Sequence, residues 1–193
     1  MNKVWKFLDE VHGFQNLPDD SLPEIIFLGR SNVGKSSLIN SLTKSKIAKT
    51  SKTPGRTRSL IFFELEKKFR IVDFPGYGYS RISKTNEYKL DKLIDQYLKN
   101  RNNLNKIFLL IDSRHGFKEQ DKLILHELDK LFKDKVFIVF TKKDRIKNMK
   151  EKKKLDEFNE IANKHFNKKS FNTSIKQINT IILLNKFINR SLN

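Results

Sequence analysis

The stretch Gly29-Arg-Ser-Asn-Val-Gly34-Lys35-Ser36 combines the residue types needed to hold a phosphate. Gly29 and Gly34 let the backbone curl so that successive N–H groups point inward, and those groups, with the start of a helix, form a nest for anionic oxygens. Lys35 adds a point charge, and the Ser36 hydroxyl offers a hard oxygen for Mg²⁺. The spacing matches G-x-x-x-x-G-K-[ST], which requires a strand before it and a helix after it. Residues 24 to 28, EIIFL, read as a buried strand, and a helix is expected from about Lys35 to Thr43. The competing reading, a chance glycine-rich turn, does not account for all four fixed positions in that context.

Three further stretches extend this chemistry. Asp73-Phe-Pro-Gly76 ends the strand FRIVDF. An Asp at a strand end can hold Mg²⁺ through water, and the Gly76 N–H can meet a terminal phosphate. Alone, this reads equally well as an ordinary turn. Thr141-Lys142-Lys143-Asp144 ends the strand VFIVFT. A carboxylate there can accept from guanine N1–H and the 2-amino group, a donor pair that adenine lacks. The Lys142 stem can cover the base face. Thr173-Ser174-Ile175-Lys176 lies downstream, and its backbone N–H groups can meet guanine O6. Each is weak alone; their order gives them weight. Tyr77 follows Gly76 and offers no amide to orient an attacking water, so hydrolysis of any nucleotide bound here is expected to be slow.

The elements that must position these residues alternate. Residues 1 to 23 read as a lead-in ending in the loop LPDDSLP, packed on a single domain over 24–193. Mobile loops are expected at about 44–58 and at FPGYGYSRIS, with strands at about 59–65 and 68–73 between them. Tyr88 to Leu98 has helical spacing, Lys106 to Asp112 is a strand, and Glu119 to Phe132 is a helix with Leu123, Ile124, Leu128 and Leu131 on one face. Val136 to Thr141 is a strand. A charged helix over about 147–166, a short strand near Ser170 and Phe171 and a closing helix over about 176–190 follow. This alternation predicts an α/β fold: one mostly parallel central sheet with helices on both faces.

Composition narrows the partners. The chain of 193 residues has no cysteine, which excludes disulfides and thiolate chemistry. Its N-terminus lacks the apolar centre of a signal peptide, and its apolar runs are strand-sized. A cytoplasmic protein without membrane insertion is expected. The net charge of +18 draws polyanions. The abundance of Lys, Asn, Ile and Phe fits coding bias as well, but bias alone does not create the imbalance over 22 acids.

The ordered set GRSNVGKS, TPGRT, DFPG, TKKD and TSIK resembles the translation-factor-related GTPases. Together with PEIIFLGRSNVGKSSLIN, KTPGRTRS, VDFPGYGYS and DSRHG, it resembles most the EngB family of bacterial ribosome-biogenesis GTPases, over roughly residues 4–190. The resemblance implies GTP/GDP binding with Mg²⁺, hydrolysis of GTP, assembly of the large ribosomal subunit through rRNA, and a link to cell division and septation. A monomer that does not bind DNA is expected.

Carried over residue by residue, Gly29, Arg30, Ser31, Asn32, Val33, Gly34, Lys35 and Ser36 would hold the phosphates. Gly55, Arg56, Thr57, Arg58 and Ser59 would form the first switch, with Thr57 (or its neighbour Thr53) on Mg²⁺ and the γ-phosphate. Asp73, Phe74, Pro75 and Gly76 would form the second. Thr141, Lys142, Lys143 and Asp144 would read guanine, helped by Thr173, Ser174 and Ile175. The metal set is Ser36, Thr57 and Asp73, and the catalytic set Lys35, Thr57 and Gly76. Thr141 stands where most GTPases have Asn. Asn32 stands where related enzymes recruit K⁺ as a substitute positive charge, which adds K⁺ as a candidate cofactor.

Other residues have more than one reading. Arg56, Arg58 and Arg81 are RNA contacts, internal catalytic arginines or solvated charges. The run Lys142 to Lys154 is an RNA-facing or merely solvated helix surface. His115 reads mainly as a turn residue, and Trp5 and Phe7 as packing anchors. Two other functions compete: a P-loop ATPase or kinase, and a basic RNA-binding module in which nucleotide is structural.

Overall fold

The computed structural model describes residues 4–49, 59–78 and 84–190. The first strand, Trp5–Val11 (β1), lies in the stretch that the sequence reading left without an element. It is followed by Glu24–Gly29 (β2) and Lys35–Thr43 (α1). Leu60–Leu65 (β3), Phe69–Asp73 (β4) and Lys84–Asn100 (α2) come next. Then come Leu104–Asp112 (β5), Glu119–Phe132 (α3) and Val136–Thr141 (β6). Met149–Glu160 (α4), Ser170–Asn172 (β7) and Ile178–Arg190 (α5) complete the order. The charged helix expected to 166 is α-helical only to Glu160, and a π-turn spans Ile161–His165.

The strands form one sheet in the order β1-β3-β4-β2-β5-β6-β7. β1 and β4 both pair antiparallel with β3, and the other pairings are parallel. β1 joins the sheet with only Val11 fully buried, so its apolar pattern is too weak to mark it as a strand in sequence. Its Trp5 ring meets Phe69 edge-on at 5.3 Å, the anchoring role expected of it.

Alternation within the buried strands sorts side chains to two cores. Ile26, Leu28, Ile107, Leu109 and Ile111 face a layer holding Leu93, Tyr97, Leu125, Leu128 and Leu155. Ile25, Phe27, Phe108 and Leu110 face the other layer, with Leu38, Ile39, Leu42, Ile181, Leu184 and Ile188. Thus α2, α3 and α4 cover one face of the sheet and α1 and α5 the other. On α3 the buried stripe is Leu125 and Leu128; Leu123 and Leu131, assigned by spacing to the same face as Leu128, are exposed. Among the described residues no helix is long and apolar enough to cross a membrane.

The parallel strands begin at a buried ionic network. Arg70 of β4 donates to both Asp20 oxygens, at 2.7 and 2.5 Å, and to Glu64 of β3 at 3.2 and 2.9 Å. Glu24 of β2 is fully buried and accepts from Tyr97 at 2.6 Å and from Arg101 at 2.8 and 2.5 Å. Arg101 also donates to the Pro18 carbonyl, which ties the segment before β2 to α2. The Arg70 contacts hold the Asp20 carboxyl below its ordinary range. Burial works against ionisation of Glu64, but Arg70 and Lys6 outweigh it and hold that group low as well.

The network gives a stability prediction. Arg70→Met removes the buried partner of Glu64, leaving that carboxylate only the half-exposed Lys6, and should destabilise the fold by about 3–5 kcal/mol, read as a shifted urea midpoint. The carboxylate contribution is present above the ordinary values of 3.8 and 4.5 and is lost as pH falls through the lower folded values. The gap between wild type and variant should therefore narrow in acid.

Candidate nucleotide-binding site

At the opposite ends of the same strands, loops after β2, β4, β5, β6 and β7 converge, the usual place for a ligand in a parallel sheet. Gly29 closes β2 where a Cβ would lie 2.9 Å from the Leu110 carbonyl. Gly34, at φ 112°, caps α1 in a left-handed conformation that disfavours other residues. No side chain caps this helix and no acid lies in its first turn, so its N–H groups face anions without a competing carboxylate.

Lys35, Ser36 and Asp73 form the charged centre. Lys35 is 8% exposed, and its ammonium donates to the Gly29 carbonyl at 3.3 Å. The Ser36 hydroxyl donates to Asp73 Oδ2 at 3.2 Å. The other Asp73 oxygen is buried and has no hydrogen-bond partner among the described residues. Burial pushes the Asp73 carboxyl up to about 6, against the pull of Lys35 and Ser36. Burial likewise lowers Lys35, with Asp73 opposing. A buried carboxylate with one open oxygen beside a hydroxyl is a hard-oxygen donor set that fits Mg²⁺.

The loop is braced from outside by the strand that ends at Thr141. The Thr141 hydroxyl donates to the Val33 carbonyl at 2.7 Å, and Lys142 Nζ donates to the Asn32 carbonyl at 2.6 Å. Because a peptide unit is planar and trans, holding the Val33 carbonyl outward holds the Gly34 N–H in the opposite direction, toward the nest. Lys142 is steadied by Asp112 of β5, whose Oδ2 accepts from it at 2.9 Å. Asp112 also accepts from Arg114 at 2.9 and 2.7 Å. Burial disfavours the Asp112 carboxylate, but Arg114 and Lys142 hold it well below the usual range. Asp112 was not singled out in the sequence. Its signal was an acid at a strand end, the same placement as Asp73.

The segments that carry Asp144 and Ser174 come together. The Ser174 hydroxyl donates to Asp144 Oδ1 at 2.6 Å and, with burial opposing, lowers the Asp144 carboxyl. The Lys143 N–H donates to the Thr173 carbonyl at 3.0 Å, zipping the two loops together. The N–H groups of Thr173 and Ser174 are already used, by the Phe140 carbonyl at 2.7 Å and Thr180 Oγ1 at 3.0 Å. That leaves the exposed Ile175 to offer the expected backbone donor.

Other expected residues distribute unevenly. A Cβ on Gly76 would lie 2.9 Å from Ser31 N and 3.1 Å from Lys35 Nζ, so this glycine sits directly on the phosphate loop. Phe74 and Val33 turn into the two cores, Pro75 is buried, and Arg30 faces a cleft toward α3. Ser59 is fully buried and gives its hydroxyl to Glu10 of β1 at 2.7 Å. His115 is exposed, with its N–H bonded to the Asp112 carbonyl in the turn. Thr53, Gly55, Arg56, Thr57, Arg58 and Arg81 lie outside the described residues.

Comparison with known proteins agrees with this geometry. A family model described as 50S ribosome-binding GTPase matches residues 24–142. The probable GTP-binding protein EngB of Mycoplasmopsis synoviae (strain 53) is 45% identical, with 95% of each chain covered. That of Rhodopseudomonas palustris (strain BisA53) is 44% identical over 83% of this chain and 76% of the relative. Among solved structures, a probable GTP-binding protein engB superposes with a TM-score of 0.64 at 26% identity, covering 88% of this chain and 98% of that one. Era in complex with MgGDPNP and nucleotides 1506–1542 of 16S ribosomal RNA superposes at 0.68 and 25% identity, covering 89% and 57%. With 45% identity over 95% of the chain to an EngB relative, and a GTPase family model matching residues 24–142, the chain belongs to the EngB family of P-loop GTPases.

Proposed function

We propose that the chain binds GTP with Mg²⁺, hydrolyses it slowly to GDP and phosphate, and acts as a nucleotide-controlled switch in large-ribosomal-subunit assembly in the cytoplasm. The carrying observation is the buried Lys35–Ser36–Asp73 centre at the start of α1, with one Asp73 oxygen open. Ser36 and Asp73 would hold Mg²⁺, with Thr57 as the expected third protein oxygen, and the metal would neutralise phosphate charge. Lys35 would balance the β- and γ-phosphates, and Gly76 would offer its N–H to the γ-phosphate. Asp144, pre-oriented by Ser174, would read the guanine donors, and Ile175 would meet O6. Thr141 supports the site through Val33 rather than by touching the base.

A ribosomal partner is supported by the charge of +18, by the description of the matching family and by the rRNA in the Era complex. The lysines of α4, at 150, 152, 153 and 154, are all exposed and would add a salt-sensitive contribution to RNA binding. A role in cell division and septation would follow from failed subunit assembly.

Three outcomes test this reading. Asp144→Ala should weaken GTP binding by at least about 2 kcal/mol in a fluorescent-nucleotide titration, because a charged partner of two guanine donors is lost. Wild-type affinity for ATP equal to that for GTP would favour a P-loop ATPase instead.

Asp73→Asn should abolish the Mg²⁺ enhancement of nucleotide binding while stabilising the free protein by about 1–3 kcal/mol at neutral pH. A carboxyl raised from 3.8 to about 6 destabilises the fold only when charged. The variant's advantage in thermal melts should therefore be absent below pH 3.8, build up to about pH 6 and stay level above it. In the wild type, the Mg²⁺ enhancement should fade as pH drops through about 6, where protons compete for Asp73.

Cosedimentation with purified large subunits at near-physiological salt should be stronger with a non-hydrolysable GTP analogue than with GDP. Binding that ignores the nucleotide would leave a basic RNA-binding module as the better description, since a switch requires different binding free energies in its two states.

A further inference from the structure

The residue after Gly76 is held from two sides. The Ser31 N–H of the phosphate loop donates to the Tyr77 carbonyl at 3.0 Å, and a parallel bridge joins Arg30 and Tyr77. The Tyr77 hydroxyl donates to Asp121 Oδ1 of α3 at 2.7 Å. Asp121 is 1% exposed, and its Oδ2 accepts from the Lys118 N–H at 2.8 Å, closing the N-terminus of α3. With both oxygens engaged, the carboxylate cannot leave the phenol without turning away from the helix cap. The phenol itself is a stiff strut with two rotatable bonds.

Gly78 continues the constraint, at φ 80° with Gln120 Oε1 2.8 Å from the position of a Cβ. Residues 76–78 thus bridge the phosphate loop and α3 beside a cleft of about 330 Å³. On the phosphate side, a Cβ at Gly76 would lie 3.1 Å from Lys35 Nζ, so this segment is fixed directly above the amine that reaches the phosphates.

We propose that the Tyr77–Asp121 hydrogen bond is a latch that positions the Gly76 N–H for the terminal phosphate, making both residues positioning residues for triphosphate over diphosphate. The inference rests on reading Gly76 as a γ-phosphate contact. It also gives Tyr77 a role: the side chain is turned onto α3 and supports the backbone ahead of it. GDP has no group for the Gly76 N–H to meet, so the latch can favour only GTP.

Tyr77→Phe tests this because it keeps the ring and removes only the hydroxyl. Affinity for a Mg²⁺-loaded, non-hydrolysable GTP analogue should fall about fivefold to tenfold, while GDP affinity should change less than about twofold. In an Asp121→Ala background the same substitution should have no further effect on the ratio of the two affinities. Should Asp121→Ala fail to fold for want of its helix cap, the Tyr77→Phe ratio alone decides. Equal losses for both nucleotides, no loss for either, or a full effect of Tyr77→Phe without Asp121 would overturn the latch. Tight binding of both nucleotides by the wild type, with a silent Tyr77→Phe, removes the latch and leaves the nucleotide site standing. A wild type that binds neither nucleotide removes both.

Discussion

A ring of peptide N–H groups can grip a phosphate only while the carbonyls of the same peptide units are held on the outside. In this molecule the outside is supplied by one strand end. Thr141 takes the Val33 carbonyl and Lys142 takes the Asn32 carbonyl, so two consecutive carbonyls of the phosphate loop are anchored by two consecutive residues after β6. Asp112 at the end of the neighbouring β5 then fixes Lys142. The parallel pairing of β5 with β6, which sets Asp112 opposite Thr141, is what makes this brace possible. The loop after β6 and the loop after β2 are therefore one mechanical unit, since Thr141 leads directly into Asp144.

The two ends of the sheet handle buried charge in opposite ways. Where β2 and β4 begin, Arg70, Glu24, Glu64, Asp20 and Arg101 satisfy one another, and the charges lock the early segment of the chain to the sheet. Where β4 ends, Asp73 has Ser36 on one oxygen and, among the described residues, no partner on the other, and its carboxyl is pushed up to about 6 by burial. An uncompensated carboxylate of this kind costs stability, and a cation that fills the gap recovers it. Buried charge is paired at one end of the strands and only partly paired, among the described residues, at the other.

The loop after β6 is braced by backbone hydrogen bonds to the segment after β7, and its geometry is set before any base arrives. The start of the loop after β4 is held by the Tyr77 hydroxyl on Asp121 of α3, by the Phe74 N–H on the Phe27 carbonyl and by a backbone bridge to the loop after β2. Under the proposed function, the first of these segments would meet the base and the second the terminal phosphate.

Much of this was legible in the sequence. GRSNVGKS, DFPG, TKKD and TSIK each combine residues whose local chemistry is fixed by type and spacing, and the apolar runs of β2, β4 and β6 place the first three at strand ends. Thus the α/β class and the bounds of α1, α3 and β6 follow from local pattern. Other features depend on contacts between segments distant in sequence. β1 has one fully buried residue and is a strand only because β3 offers an unpaired edge. Leu123 and Leu131 share a helical face with Leu128 by spacing, yet they point to solvent because the sheet reaches only the Leu125–Leu128 stripe. Thr141 reads in sequence as part of a base-recognition motif, and its hydroxyl turns out to hold a carbonyl 108 positions earlier in the chain. Asp112 and Asp121 look like ordinary surface acids until β5 and α3 carry them to Lys142 and Tyr77. Local periodicity determines which elements form and which residues end them; which side chains meet across those ends is decided by sheet order and burial, and a sequence records neither.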